Sequence, residues 1–185
     1  MTLIVIALAI HEVGHIIAAV ILHIKFERVK ITLFGFNLNA NLDGIRLIDK
    51  IILFFAGPFF NIIMFFAFQN SDYNFAEINI FLAFINMIPI IPLDGGNICK
   101  TLLDKIIDSR SVSRYIIMTN CFFIVCFSVI IYMYRNWLYL LLIIMAIRGI
   151  MEENRCILEK DIKFNYYNKY KYKRKWICLW YLNYK

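Results

Sequence analysis

Two histidines and a glutamate lie close together near the start of the chain, in the run His11-Glu12-Val13-Gly14-His15. On a helix, residues four apart share one face, so both imidazoles can bind one Zn²⁺ while Glu12 holds a water molecule beside it. The group lies in the middle of an apolar segment, where ionisable side chains are costly and usually functional. The pattern therefore favours a metal site over the alternative, a structural cluster of polar side chains.

A third ligand has to come from elsewhere, because a catalytic zinc usually has three protein ligands and one open position. The extended motif with a third histidine is excluded, since Ala18 and Ile21 occupy the positions that require glycine and histidine. His23 lies eight residues after His15, rotated by about 80° around a helix, and is more typical of a residue at the membrane–water boundary. The remaining candidate is Asp94.

Asp94 follows two prolines, Pro89 and Pro92, and precedes the pair Gly95-Gly96. The prolines remove backbone donors and end a regular helix, and the glycines let the chain turn without side-chain obstruction. This predicts a carboxylate on irregular backbone, which is tolerated at membrane depth only where protein or a water-filled cavity surrounds it. The spacing alone leaves open an alternative, a helix-terminating turn with Asp94 as a solvated loop residue.

The composition predicts that these residues are carried by membrane helices. The chain has 185 residues, of which 62% are hydrophobic, 17% aromatic and 18% charged, whereas an average soluble domain is roughly 45–50% apolar and about 25% charged. We therefore predict an all-α polytopic membrane protein with about five transmembrane helices. The expected spans are residues 1–22, 51–68, 75–93, 115–134 and, marginally, 137–151.

A short segment between the first two spans has a different pattern. Within residues 29–45, apolar and polar residues alternate on both sides of Phe34-Gly35. A period of two around a turn predicts a small β-hairpin on the membrane surface, with an irregular loop as the alternative.

The net charge of +7 lies in the last part of the chain. Residues 162–185 hold seven Lys/Arg and no acidic residue, and successive connections between spans are alternately rich and poor in Lys/Arg. The positive-inside rule then predicts a cytoplasmic C-terminus. We divide the chain into a core, residues 1–151, and a basic, aromatic cytoplasmic tail, residues 152–185. The tail suits anionic lipid, or no specific partner, better than nucleic acid, which we do not expect as a partner.

Three motifs together resemble the site-2 intramembrane zinc proteases, in particular their sporulation branch. The motifs span residues 1 to about 150 and are His11-Glu12-Val13-Gly14-His15, Ala56-Gly57-Pro58-Phe59-Phe60-Asn61 and Asn86-x-x-Pro89-x-x-Pro92-Leu93-Asp94-Gly95-Gly96. The resemblance implies that His11, His15 and Asp94 bind Zn²⁺ and that Glu12 is the catalytic acid/base. It also implies that Asn61 and Asn86 bind substrate.

The same resemblance implies a function. The expected activity is a zinc endopeptidase that cleaves a membrane-associated precursor near the cytoplasmic face, as in the processing of a sporulation pro-sigma factor. The expected location is the bacterial cell membrane, with inhibitory membrane proteins as possible partners. The hairpin is expected to lie near the active site and to pair with an extended substrate.

Sporulation-type members usually have one more helix before the first motif, whereas here only ten residues precede it, so we expect either a misassigned start or a lost helix. Many also carry a nucleotide-sensing domain at the C-terminus, for which the 34 residues after Met151 are too few. The alternative function is a non-proteolytic membrane protein that holds a client or binds metal.

Overall fold

The computed structural model describes residues 2–24, 26–32, 35–40, 44–136 and 139–182. Within these ranges the chain forms six helices and two short strands. In chain order they are α1 (Thr2–Ile21), β1 (Phe26–Thr32), β2 (Gly35–Ala40), α2 (Leu47–Phe68), α3 (Tyr73–Asn86), α4 (Asp94–Leu103), α5 (Ser109–Tyr134) and α6 (Tyr139–Leu182).

Three of the helices, α1, α2 and α5, are long and apolar enough to cross a membrane. They contain 20, 22 and 26 residues, and at about 1.5 Å per residue each can span a hydrocarbon core roughly 30 Å thick. Large apolar side chains such as Val5, Phe66 and Val125 are exposed on their outer faces. Such surfaces are expected where lipid, rather than water, surrounds the helix.

The expectation of five membrane spans is not confirmed. The apolar segment 75–93 does not form one continuous helix, because α3 ends at Asn86 and the prolines keep the chain irregular as far as Leu93. The 14 residues of α3 are too few to span a bilayer alone. The marginal fifth span corresponds to the start of α6, where Arg148 interrupts the apolar run. The division of the chain at residue 151 stays a prediction, and α6 runs through that position.

Between α1 and α2, the two strands pair antiparallel, with Ile31 opposite Phe36 and Thr32 opposite Gly35. The predicted hairpin, residues 29–45, falls partly outside the described residues, at positions 33, 34 and 41–43. The backbone of β2 contacts α1. The role of this hairpin beside the membrane stays a prediction.

Small residues bring α1 and α2 close together. Ala18 and Ala19 pack with Leu53 and Ala56 in one buried cluster. A methyl group added at Gly14 would lie 2.8 Å from the carbonyl oxygen of Ala56. Small residues at a helix interface in a membrane allow the two backbones to approach closely, so side chains on α1 can reach the backbone of α2.

A second packed region forms around the irregular segment that follows α3. Ile90 and Leu93 are buried together with Phe127 of α5 and with Leu142 and Ala146 of α6. Ile90, Ile91 and Leu93 of the irregular segment are therefore covered by protein, as irregular backbone at membrane depth requires.

Candidate metal centre

The structure brings together His11, His15 and Asp94, which are far apart in the sequence. The Nε2 atoms of the two histidines lie 3.2 Å apart. Oδ2 of Asp94 lies 3.1 Å from Nε2 of His11 and 3.3 Å from Nε2 of His15. The two imidazoles are buried, and the Asp94 side chain is only 13% exposed. Three potential ligand atoms therefore converge on one buried point.

The ring of His15 is oriented by the backbone of α2. Its Nδ1 lies 2.8 Å from the carbonyl oxygen of Leu53. A carbonyl oxygen can only accept, so Nδ1 carries the proton, and Nε2 of the neutral ring presents a lone pair to the convergence point. This is the arrangement found around metal-binding histidines, which usually donate their second ring N–H to a carboxylate or backbone carbonyl.

Gly57 on α2 forms one wall of the centre. A methyl group built on its backbone would lie 2.4 Å from Nε2 of His15 and 2.8 Å from Nε2 of His11. Any side chain at this position would therefore overlap the ligand atoms, and the α2 backbone lies directly against both rings.

The donor set and its spacing fit a zinc ion. Two ligands bound to a tetrahedral zinc at about 2.1 Å are about 3.4 Å apart, and the three separations here are 3.1, 3.2 and 3.3 Å. Oδ2 of Asp94 is buried without a hydrogen-bond partner in the described part of the chain. A buried carboxylate oxygen without a donor is costly unless a cation satisfies it. The residues thus have the geometry and chemistry to hold a divalent metal.

Asp94 reaches this point because it is the first residue of α4, which starts directly after the irregular segment. Close backbone contacts hold the first turn of α4 in place. A methyl group on Gly95 would lie 2.3 Å from the carbonyl oxygen of Met87, and a methyl group on Gly96 would lie 2.4 Å from the carbonyl carbon of Ile90. The alternative in which Asp94 is a solvated loop residue does not describe this structure, because its side chain is largely buried beside the two histidines.

The other predicted site residues differ in their burial and in their contacts. Glu12 is half-buried on α1, directly after His11. Asn61 lies one helical turn after Gly57 and is fully buried, and both polar atoms of its amide lack a partner in the described part of the chain. Asn86 is half-buried at the end of α3, where its amide donates to the carbonyl oxygen of Leu82. His23 is exposed in the turn after α1 and is not part of the cluster.

Sequence reasoning did not select three groups that shape the centre. For the contact of Gly57 with the two rings, the sequence offered one indication, namely the place of Gly57 in the second motif. The Leu53 carbonyl had no signal, because a backbone acceptor carries no side-chain pattern. Asn120 is a polar residue in the middle of the apolar run of α5, which is itself a signal of a buried polar contact. Its amide is hydrogen-bonded to the backbone of Ile91.

Comparisons with known proteins agree with the motifs. The model of Peptidase family M50 matches residues 65–129, a range that includes Asn86 and Asp94. Stage IV sporulation protein FB of Bacillus subtilis (strain 168) is 30% identical over 125 residues, which cover 61% of this chain and 43% of that protein. The chain thus spans less than half the length of this relative.

A solved structure shows the same fold. The site-2 protease from Methanocaldococcus jannaschii superposes with a TM-score of 0.65 at 18% sequence identity, covering 83% of this chain and 75% of that chain. Together, the matches in sequence and in structure confirm the resemblance to the site-2 proteases of Peptidase family M50.

Proposed function

We propose that this chain is a zinc metalloendopeptidase of the site-2 protease type, which cleaves a membrane-associated protein at a site inside the membrane. The observation that carries the proposal is the convergence of His11, His15 and Asp94 within 3.3 Å of one another. Two of these ligands lie in the middle of a helix of membrane-spanning length. A soluble protease does not need to carry its ligands on an apolar helix of this length, and a purely structural helix does not need the ligands.

His11, His15 and Asp94 would hold the metal, with Nε2 of each ring and Oδ2 of the carboxylate as the ligand atoms. A zinc ion at this point supplies Lewis-acid chemistry, because it lowers the pKa of a bound water towards 7 and polarises the scissile carbonyl. The Leu53 carbonyl keeps the His15 ring in the tautomer that this role requires.

Glu12 would act as the general acid/base. It is adjacent to His11 in the chain and half-buried on the same helix as both histidines. In the proposed reaction its carboxylate takes a proton from the attacking water as the water oxygen bonds to the scissile carbonyl carbon. Glu12 then gives the proton to the leaving nitrogen as the C–N bond breaks.

Asn61 and Asn86 would bind the peptide beside the metal. The Asn61 amide offers one donor and one acceptor that no described residue uses, as an extended peptide backbone needs. The peptide bond of a substrate helix is shielded by its own hydrogen bonds, so the substrate must unwind locally before it is cut. The edge of the β1–β2 hairpin could hold the unwound segment by main-chain hydrogen bonds.

The substrate class follows from the membrane location and from the relatives. The Lys/Arg-rich connections support a cytoplasmic location for residue 47, the start of α2, and Leu53 and Gly57 lie in the first half of α2. The centre therefore lies in the cytoplasmic half of the membrane, and the C-terminus is cytoplasmic. Similarity to a stage IV sporulation protein supports a role in sporulation, with a membrane-associated pro-sigma factor as the substrate and the mother-cell membrane as the location. Inhibitory membrane partners remain a prediction.

The experiment that tests the activity replaces Glu12 by Gln and co-expresses the protein with a membrane-tethered pro-sigma factor. We expect cleavage to fall by about 10²–10⁴-fold, because general acid–base catalysis contributes that much. Glu77→Gln is the matched control, since Glu77 is exposed on α3 and this variant should cleave normally. Undiminished cleavage by Glu12→Gln would remove Glu12 from the mechanism.

Zinc content separates this proposal from the alternative of a non-proteolytic membrane protein. The purified protein should contain about one zinc per chain, and Asp94→Ala should lose most of it, since zinc sites of this kind use three protein ligands. Zinc binding without cleavage of any membrane substrate would favour the alternative, a protein that binds metal or holds a client.

A further inference from the structure

The irregular segment that delivers Asp94 is held by one side chain of α5. Oδ1 of Asn120 accepts a hydrogen bond from the Ile91 N–H at 3.3 Å, and its Nδ2 donates to the Ile91 carbonyl oxygen at 3.2 Å. The same Nδ2 donates to the carbonyl oxygen of Ala146 on α6 at 3.1 Å. Asn120 is fully buried, so a single amide links α5, the irregular segment and α6.

The amide supplies hydrogen bonds that the backbone of Ile91 does not find elsewhere. Ile91 lies between α3 and α4, where helical hydrogen bonding has stopped, and in the described part of the chain both its N–H and its carbonyl pair with Asn120. Buried backbone groups that lose their partners carry a large desolvation cost. Loss of the Asn120 amide would therefore leave two buried backbone groups of the segment without partners.

The second side of this arrangement is Gly149 on α6. A methyl group on Gly149 would lie 1.9 Å from the Ile91 carbonyl oxygen and 2.6 Å from Nδ2 of Asn120. The backbone of α6 is thus in direct contact with Ile91, which is itself buried. The close contact fixes the carbonyl group of Ile91 against α6.

We propose that Asn120 and Gly149 form a clamp on Ile91 that sets the position of the metal ligand Asp94. This inference rests on the proposed function, because it assumes that Asp94 binds the metal. Ile91 is three residues before Asp94. Pro92 restricts the chain between them, and Leu93 is fixed in the α5–α6 core. A shift of Ile91 is therefore passed on to the Asp94 carboxylate. Asn120 and Gly149 are positioning residues and do not touch the metal.

Three variants test the clamp in the full-length protein. Asn120→Leu has a similar size but no hydrogen bonds. Asn120→Asp keeps the acceptor for the Ile91 N–H but loses both donors. Gly149→Ala leaves Asn120 unchanged and acts from α6. The controls are Thr119→Val, since Thr119 bonds only within α5 in the described part of the chain, and Met151→Ala, since Met151 is exposed on α6.

Two readouts separate positioning from general damage. Zinc affinity is measured by competition with a chelator, and hydrogen exchange of peptides covering residues 87–97 reports on the irregular segment. We expect zinc binding to weaken about 10–100-fold in Asn120→Leu and Gly149→Ala, the range typical for groups that orient ligands. Asn120→Asp should weaken zinc binding at least as much, because it turns a carboxylate oxygen towards the carbonyl oxygens of Ile91 and Ala146. Exchange in residues 87–97 should become about tenfold faster, while exchange in α1 and α2 stays as in the wild type, and both controls should match the wild type.

The outcomes distinguish this inference from the proposed function. Wild-type zinc affinity in Asn120→Leu and Gly149→Ala overturns the clamp, whether or not exchange in the segment is faster. If Asn120→Leu does not fold, the same comparison rests on Asn120→Asp and Gly149→Ala. Absence of zinc binding by the wild type contradicts the proposed function itself, and the clamp as a device for positioning a metal ligand is rejected with it.

Discussion

The contact between Gly57 and the two imidazoles gives a sharp prediction. In Gly57→Ala, the new methyl group would lie 2.4 Å from Nε2 of His15 and 2.7 Å from Cε1 of His11. Ordinary non-bonded contact begins near 3.5 Å, so the His15 ring has to retreat by about 1 Å. Metal sites tolerate changes in ligand distance of only about 0.2 Å. The hydrogen bond from His15 to Leu53, at 2.8 Å, opposes the same movement.

We therefore expect zinc affinity in Gly57→Ala to fall by about 100-fold or more, which corresponds to about 2.7 kcal/mol. The folded protein should survive this change. Overpacking costs about 1–3 kcal/mol, and replacing glycine by alanine inside a helix returns up to about 1 kcal/mol. Gly57→Ala is thus expected to lose most of its zinc affinity while it still folds.

The assay is zinc competition with a chelator, combined with denaturant unfolding of the metal-free protein. The matched control is Gly44→Ala, where the backbone has φ of 83° and, among the described residues beyond its chain neighbours, no atom lies within 4 Å of the added methyl group. Gly44→Ala strains the backbone but should bind zinc as the wild type does. If Gly57→Ala binds zinc with unchanged affinity, α2 does not lie against the ligand atoms and the reasoning about this wall of the site is refuted.

Two further predictions concern buried polar groups. In Asn61→Leu, stability of the metal-free protein should stay the same or rise by about 1 kcal/mol, because an unpartnered buried amide is removed. Cleavage of a membrane substrate should nevertheless fall at least about tenfold at unchanged zinc content; normal cleavage would show that Asn61 does not bind substrate. Lys100 of α4 forms an ion pair with Glu153 of α6, and the Glu153 side chain is almost completely buried. Lys100→Met should lower the free energy of unfolding by about 3 kcal/mol because it leaves that charge unpaired. The double variant Lys100→Met/Glu153→Leu should recover most of this loss, and a double variant as unstable as Lys100→Met would contradict the explanation.

The sequence was sufficient to predict the part of the site that depends on local geometry. His11 and His15 are four residues apart on one apolar helix, and the period of the helix alone brings their rings together. The positions of α1, α2 and α5 follow from apolar runs of membrane-spanning length. These features need no knowledge of which helices are neighbours.

Contacts between distant segments could not be predicted in this way. The spacing of Pro89, Pro92 and Asp94 indicates irregular backbone, but it equally suits a solvated turn, and only packing against α1 distinguishes the two. The same prolines ended α3 at Asn86 and shortened a predicted span. The partners of Asn120 lie 29 and 26 residues away in the chain, so its burial could be suspected from its apolar neighbours, but its role could not.

The three ligand residues also differ in how many interactions are needed to hold them in position. Helix α1 brings His11 and His15 together without help, and one carbonyl of α2 orients His15. Asp94 requires a broken helix, close backbone contacts at Gly95 and Gly96, and hydrogen bonds from Asn120. The result is a buried carboxylate oxygen beside two imidazole nitrogens, an arrangement that is unfavourable unless a proton or a cation lies between them. Apolar side chains would make this region more stable. Interactions from α2, α5 and α6 thus maintain a cluster that weakens the fold unless it holds a metal, which is the expected property of a functional site rather than a structural one.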